Sequence, residues 1–303
     1  MPKSVIAAES LTKYYGKVVG VEGLDLEVQE GELFGFLGPN GAGKTTTLRL
    51  LMGLLRPTSG RAEVLGLDAW RQSVEVKEKV GYLPGEAALY SRMTGEALIR
   101  FVAKFNNHAE SEGFELAARL ELDREHLRRK VAGYSRGMKQ KLAVVLALQK
   151  RPPLLLMDEP TNALDPLIQH ILYEILNEYK ETGTTVLFSS HNLPEVERMA
   201  ERVGIIRDGN LVGTERIETL RSKRLRNVEI IFSGEVPEGI DALPGVTDLE
   251  RAGNRIQLKL RGDINQLLKR IAQYEVADFS VTHASLEDAF LEFYGRGGEW
   301  GKA

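Results

Sequence analysis

Leu33-Phe34-Gly35-Phe36-Leu37-Gly38-Pro39-Asn40-Gly41-Ala42-Gly43-Lys44-Thr45 is the stretch that decides the fold. Leu33–Leu37 is an apolar run of strand length, and it ends at a glycine-rich turn. Thr45–Leu55 follows as a good helix former stopped by Pro57. The order is strand, glycine loop, helix, and Gly38–Thr45 matches G-x-x-x-x-G-K-[ST] in the context this motif requires. Glycines let successive backbone N–H groups turn inward around phosphate oxygens, and the following helix points its positive end at the same anion. Gly38, Pro39, Asn40, Gly41, Ala42 and Gly43 form the candidate cradle, and Lys44 reaches the β- and γ-phosphates. Thr45 is the candidate Mg²⁺ ligand, and Thr46 is a donor to a nearer phosphate. The bland alternative, a glycine turn with a chance lysine, leaves the flanking strand and helix unexplained.

A second element lies at Leu154-Leu155-Leu156-Met157-Asp158-Glu159. An apolar strand with an Asp at its carboxyl end supplies the magnesium side of a P-loop site. Asp158 is therefore the second candidate metal ligand, and the adjacent Glu159 is the candidate to polarise an attacking water. Alone, an apolar strand ending in two acids is mostly structural. Beside Gly38–Thr45 it reads as chemistry.

Working outward, Val5–Leu11 and Val21–Val28 alternate apolar and polar residues, with Gly16, Gly20 and Gly23 marking the turns. Strand-length apolar segments recur at Val80–Leu83, Leu154–Met157, Thr185–Ser189 and Val203–Arg207. Between them run helical patterns over Gly95–Asn106, Glu112–Leu120, Arg136–Gln149, Pro166–Lys180 and Leu193–Ala200. Alternation of this kind predicts an α/β fold with a mostly parallel sheet covered by helices. The stretch from about Glu86 to Arg129 carries helices without strands and reads as a helical insertion.

Arg216–Arg226 holds five basic residues and one acid, and the domain junction is placed there. The expectation is a nucleotide-binding domain over 1–220, with a helical subdomain near 86–150, and a small α+β domain over 226–303. In the latter, Ile256, Leu258 and Leu260 alternate with Gln257, Lys259 and Arg261 as a half-buried strand. Asp263 is placed to cap a helix with Ile264, Leu267, Leu268 and Ile271 on one face, and Ser285 with Asp288 makes a capping box for a last helix.

Composition bounds the rest. The chain has 303 residues, 43% hydrophobic and 27% charged, which is ordinary for a folded protein and far from the disorder signature. It contains no cysteine, which excludes disulfides, thiolate metal sites and cysteine nucleophiles. Forty basic residues against 43 acids give a net charge of −3, with no basic field for coating nucleic acid. The N-terminus lacks the apolar core of a signal peptide, and no run approaches the length of a membrane helix. A cytoplasmic location is expected.

Three further stretches narrow the field. Tyr134-Ser135-Arg136-Gly137-Met138-Lys139-Gln140 opens a helix, Pro160-Thr161-Asn162-Ala163-Leu164-Asp165 follows Glu159, and Ser189-Ser190-His191 follows the next strand. With these in order, the chain resembles the ATP-binding subunit of ABC transporters from about Val5 to Ile217. The Tyr-Ser-Arg-Gly-Met form, and a C-terminal domain ending in Ser285-Leu286-Glu287-Asp288-Ala289-Phe290-Leu291, make it most similar to subunits of drug and antibiotic exporters.

That resemblance implies ATP and Mg²⁺ as ligands, a P-loop ATPase core with an antiparallel N-terminal β region, and roles for matching residues. Tyr15 matches the aromatic that stacks on adenine. Ser135 and Gly137 match signature residues that bind the γ-phosphate held by the opposite subunit, and Ser135 lies where a helix N-cap favours an anion. Asp165 matches the loop that communicates across the dimer. His191 matches the switch histidine at the γ-phosphate, whereas His108, His126, His170 and His283 have no such context. One P-loop and one signature per chain imply a head-to-tail homodimer with two ATP molecules between subunits. An integral membrane permease is the implied partner, which places the chain peripherally on the inner face of the cell membrane. A soluble ABC-type ATPase acting in translation or DNA maintenance is the alternative; the chain has neither the tandem ATPase domains nor the long coiled coil of those types.

Two departures stand out. Arg136 and Met138 replace the commoner glycine and glutamine of the signature, as exporter-type subunits often show. In Val80-Gly81-Tyr82-Leu83-Pro84-Gly85, glycine stands where the family usually has a glutamine that touches Mg²⁺ and the attacking water. Glu86 is adjacent, but one position along an extended segment points the other way.

Overall fold

The computed structural model describes residues 3–105, 110–222, 226–234, 236–261 and 263–283. The chain divides into two compact units, Met1–Thr214 and Glu215–Ala303.

The first unit contains two sheets. β1 (Ser4–Tyr15) and β2 (Val18–Gln29) form an antiparallel hairpin through Gly16, which sits at φ 62° in the left-handed region that glycine adopts freely. β4 (Ser59–Val64) joins β1 antiparallel, and β5 (Leu67–Asp68) closes the order β2-β1-β4-β5. The central sheet runs β10 (Asn210–Arg216), β9 (Arg202–Arg207), β3 (Leu33–Leu37), β8 (Thr185–Ser190), β7 (Leu154–Asp158), β6 (Val80–Leu83). The pairs from β9 through β6 are parallel. β3, β7 and β8 are buried at every position, which explains their continuous apolar reading in place of alternation.

Helices cover this sheet. α1 (Lys44–Leu51) follows β3, and α2 (Ser73–Lys79) precedes β6. The strandless stretch folds into α3 (Gly95–Phe105), α4 (Glu110–Arg119) and α5 (Arg124–Arg128), then a 3-10 turn at Val131–Gly133 and α6 (Arg136–Leu148). A bridge between Thr94 and Lys130 ties the ends of α3–α5 together, so the segment departs from the sheet and returns to it. α7 (Pro166–Glu181) crosses from β7 to β8, and α8 (Leu193–Met199) from β8 to β9. The hydrophobic core joins Ile6, Val28 and Val64 of the first sheet to Phe34, Phe36, Leu154 and Leu187 of the second, with Leu48 and Leu51 of α1 between.

The second unit contains α9 (Ile217–Ser222) and an antiparallel sheet, β12 (Val246–Ala252), β13 (Arg255–Leu260), β11 (Arg226–Phe232), β14 (Val276–His283), with α10 (Asn265–Ile271). Ile256, Leu258 and Leu260 point inward with Val228, Ile230 and Phe232 against Leu267 and Ile271 of α10. Asp263, expected to cap this helix, does not: the N-cap is Ile264, which makes no side-chain capping bond. Asp263 stands one residue earlier, and its Oδ1 accepts from the Asn265 amide at 2.9 Å in a local turn. The Ser285–Asp288 capping box lies outside the described residues.

Candidate nucleotide site

The phosphate loop is built by close backbone packing. A Cβ on Gly38 would stand 2.3 Å from the Ile206 carbonyl, and one on Gly43 2.4 Å from the Gly20 carbonyl. Gly43 also sits at φ 107°, so glycine is required there on both counts. The loop begins where Gly38 N donates to Ser190 O at 3.2 Å, and it turns where Ala42 N donates to Pro39 O at 3.2 Å. Asn40 and Gly41 are exposed at its tip, while Ala42 is buried.

Lys44 is only 6% exposed, and its Nζ donates to Gly38 O at 2.6 Å and Pro39 O at 3.0 Å. The ammonium thus lies in the mouth of the loop, 3.7 Å from Glu159 Oε1. Burial lowers its pKa, and the nearby carboxylates of Glu159 and Asp158 oppose that shift. A desolvated cation in the mouth of a glycine loop, at the N-terminal end of α1, is a strong anchor for an anionic ligand.

Thr45 Oγ1 donates to Asp158 Oδ2 at 2.7 Å. The other carboxylate oxygen of Asp158 accepts from Ser189 Oγ at 2.6 Å. β7 and β8 pair Asp158 with Ser189, which places that hydroxyl at the carboxylate by register. A hydroxyl and a carboxylate are hard oxygen donors of the kind Mg²⁺ takes, and Mg²⁺ commonly uses one or two protein oxygens with the rest from phosphate and water. Among the described residues no group of three or more His, Asp or Glu forms a ready-made metal cage. The donor set therefore fits a metal that arrives with a polyphosphate.

Glu159 adopts φ 49°, left-handed for a non-glycine residue. Its amide donates to Ser189 Oγ at 3.0 Å, and its Oε1 lies 3.1 Å from His191 Nδ1. His191 is exposed at the end of β8. Lys44, Thr45, Asp158, Glu159 and His191, spread over nearly 150 positions, thus meet at the carboxyl ends of β3, β7 and β8. Tyr15 joins from β1: a Cβ on Gly20 would lie 2.8 Å from its ring and 3.1 Å from the Thr46 methyl, so ring and loop helix flank the same glycine. Its ring is 44% exposed and Lys13 Nζ stands 5.4 Å from its centre.

Ser135 is elsewhere. It is the exposed N-cap of α6, accepting from Met138 N at 3.2 Å, and nothing among the described residues bonds it to Lys44, Asp158 or Glu159. Gly137 is in the first turn of α6, where a Cβ would sit 2.9 Å from Ala163 O. Asp165 caps α7, accepting from Ile168 N at 3.1 Å. Gly85 lies against Asp158, and the adjacent Glu86 is exposed.

Four supporting residues take no role of their own in the sequence, although Thr161, Ser189 and Ser190 lie inside the stretches quoted above. Ser189 holds both Asp158 and the Glu159 amide. Thr161, Ser190 and Glu195 form a buried cluster, in which Thr161 Oγ1 donates to Glu195 Oε1 and Ser190 Oγ to Glu195 Oε2, each at 2.6 Å. The signals were the adjacency of Ser189 and Ser190 to His191 and the place of Thr161 in the stretch after Glu159; Glu195 reads as an ordinary helix acid.

Comparison with known proteins agrees with this geometry. Residues 21–162 match the ABC transporter family model, and residues 216–294 match that of the ATP-binding protein DrrA1-3-like C-terminal domain. The bacitracin transport ATP-binding protein BcrA of Bacillus licheniformis is 32% identical, over 97% of this chain and 98% of that protein. The daunorubicin resistance ATP-binding protein DrrA2 of Streptomyces coeruleorubidus is 30% identical, over 96% and 95%. A solved ATP-binding subunit of an ABC transporter superposes with TM-score 0.66 at 30% identity, covering 72% of this chain and 92% of that one. A cassette solved as a post-hydrolysis dimer with ADP and Pi shares the fold, with TM-score 0.65 at 24% identity over 70% of this chain and 98% of that one.

Proposed function

The chain belongs to the ATP-binding subunits of ABC transporters of the drug and antibiotic exporter type, and on that premise we propose how its residues hydrolyse ATP and what the hydrolysis drives. The chain works as a head-to-tail homodimer that powers export of an amphipathic, drug-like compound through a separate membrane permease. The observation that carries the dimer is that Ser135, exposed at the N-cap of α6, is bonded to none of Lys44, Asp158 and Glu159 among the described residues. Ser135 presents a hydroxyl and a free helix end to solvent, and in a head-to-tail pair Ser135 and Gly137 of one copy close on the γ-phosphate held by the other.

Within one copy, the loop amides and Lys44 bind the β- and γ-phosphates, and Tyr15 stacks on adenine. Thr45 and Asp158 would hold Mg²⁺, which when bound would supply charge neutralisation at the phosphate oxygens. Glu159, aimed by the hydrogen bond its backbone N–H donates to Ser189 Oγ and by His191, takes the proton of the attacking water. His191 donates toward the γ-phosphate, and Asp165 stands at the turn that faces the second copy.

The permease reading has support in unit 1. Among the described residues of α3, Phe105 is 81% and Phe101 51% exposed, with Tyr90 beside them at 66%. Phe105 lines a groove of about 350 Å³ with Tyr82, Pro84, Leu89, Val102 and Leu146. Exposed aromatic clusters of this kind mark interaction sites. The groove includes Pro84, next to Gly85 over Asp158, so a partner seated there would feel the state of the nucleotide site. Among the described residues no helix is long and apolar enough to cross a membrane, so the translocation path belongs to the partner.

The test is co-expression with a candidate permease, followed by efflux of amphipathic antibiotics and by sizing with ATP. ATP-dependent dimers and efflux lost in Lys44→Ala are expected. A chain that stays monomeric at saturating ATP in its Glu159→Gln form would refute the dimer.

A further inference from the structure

Glu195 is 9% exposed on α8, and it accepts two short hydrogen bonds, from Thr161 Oγ1 and Ser190 Oγ, both at 2.6 Å. Thr161 lies two residues beyond Glu159, and Ser190 lies immediately before His191. Ser190 is engaged further: its hydroxyl accepts from Asn192 N at 2.9 Å, and its carbonyl accepts from Gly38 N at 3.2 Å. One carboxylate therefore stands where the turn after Glu159, the loop of His191 and the start of the phosphate loop meet.

That turn needs holding. Glu159 and Ala163 both occupy the left-handed region, at φ 49° and 63°. Such residues cost about 1–3 kcal/mol each and persist only where their surroundings over-determine them. Gln140 Nε2 fixes one side of the turn through Pro160 O at 3.0 Å, and Glu195 fixes the other through Thr161. The carboxylate is not needed to build α8. Asn192 caps that helix, accepting from the Glu195 amide, and Leu193, Val196 and Met199 supply its buried face. A carboxylate kept in such a place must be returned its desolvation cost by its partners. Burial raises its pKa, and the two hydroxyls oppose the shift.

We infer that Glu195 is a positioning residue of the ATPase site: by tying Thr161 to Ser190, it locks the turn that carries Glu159 to the loop that carries His191. The inference rests on the roles proposed above for Glu159 and His191. It assigns to α8 the task of keeping those two groups at working distance while the dimer opens and closes around them.

An amide alters this pairing. The Nε2 end of a glutamine donates, so one of the two hydroxyls must turn from donor to acceptor and the charge-assisted bond is lost. Ser190 already accepts from Asn192 N and has Asn192 O at 3.2 Å as its other acceptor. The experiment compares Glu195→Gln, Thr161→Val and Thr161→Ser with the parent in steady-state ATPase, equilibrium ATP binding and thermal unfolding. Glu195→Gln and Thr161→Val are expected to lose kcat by about 10- to 10²-fold, the scale of misplacing a reacting group. ATP affinity should stay within about two-fold, because neither side chain touches the phosphate cradle. Thr161→Ser, which keeps the hydroxyl, should restore most of kcat. The double variant should cost no more than the worse single one, as expected for two ends of one link. Variants with kcat within about two-fold of the parent would overturn the inference. So would a Thr161→Ser as impaired as Thr161→Val, which would mean that packing matters and the hydrogen bond does not. If Glu195→Gln fails to fold, the Thr161 pair decides alone. A parent without ATPase activity would overturn the site reading itself, whereas an active parent matched by its variants would overturn only the role of Glu195.

Discussion

Gly85 lies against the carboxylate of Asp158: a Cβ built on the glycine would stand 3.1 Å from Oδ2 and 3.4 Å from Cγ. Asp158 cannot easily retreat, because Thr45 holds Oδ2 at 2.7 Å and Ser189 holds Oδ1 at 2.6 Å. The loop that leads to the helical subdomain therefore reaches Asp158 by backbone alone.

Two variants separate what this contact does. Gly85→Ala should lower basal ATPase by about 10-fold, since small displacements of reacting groups have that scale. Glu86 is exposed, and a third acid beside Asp158 and Glu159 would raise neighbouring pKa values, so Glu86→Ala should leave the basal rate intact. Its loss should show only in permease-stimulated turnover. A collapse of the basal rate in Glu86→Ala would mean that Glu86 substitutes for the family's glutamine.

Glu159→Gln should keep ATP binding and lose turnover by about 10²-fold or more, because only the proton acceptor is removed. Sizing with ATP should then show a trapped dimer. Hydrolysis near the parent's rate would exclude Glu159 as the base.

Lys44→Ala should weaken ATP binding by roughly 10- to 10²-fold, the worth of a charge-assisted hydrogen bond of about 1.5–3 kcal/mol. Calorimetric titration measures it directly. Unchanged affinity would sink the assignment, since Lys44 is the cation in the mouth of the loop.

Ser135→Arg should bind ATP as a monomer with near-parental affinity and yet fail to dimerise. Ser135 is exposed and makes no bond to Lys44, Asp158 or Glu159 among the described residues, but a bulky side chain at the α6 N-terminus blocks closure. An equal loss of monomer affinity would place Ser135 in the site of its own chain.

Ser189→Ala should cost stability as well as activity. It leaves Asp158 Oδ1 without its hydroxyl donor in a fully buried position, a penalty of about 1–3 kcal/mol. For a protein of this size that lowers Tm by several degrees, since about 1 kcal/mol corresponds to roughly 2–4 °C. An unchanged melting curve would show that water replaces the hydroxyl.

What the sequence determined by itself was everything that depends on short-range spacing. Gly38–Thr45 specifies its own turn, because a glycine loop between a strand and a helix has few ways to fold. The buried strands Leu33–Leu37 and Leu154–Asp158 announce themselves as apolar runs, and Ser135 as a helix cap, because these signals are local. The short β5 and α2 escaped notice, being too brief to show a period, and β4 carries a weak pattern with Ser59, Gly60 and Arg61 exposed. The order of the central sheet was decided only in three dimensions. β3 lies between β8 and β9, whose residues are more than 150 positions away, and no periodicity encodes that choice. That order brings Ser189 to Asp158, His191 to Glu159 and Lys44 before both. Glu195 became visible only once α8 had packed beneath them, because a lone acid on a helix has no meaning until Thr161 and Ser190 arrive from other elements to meet it.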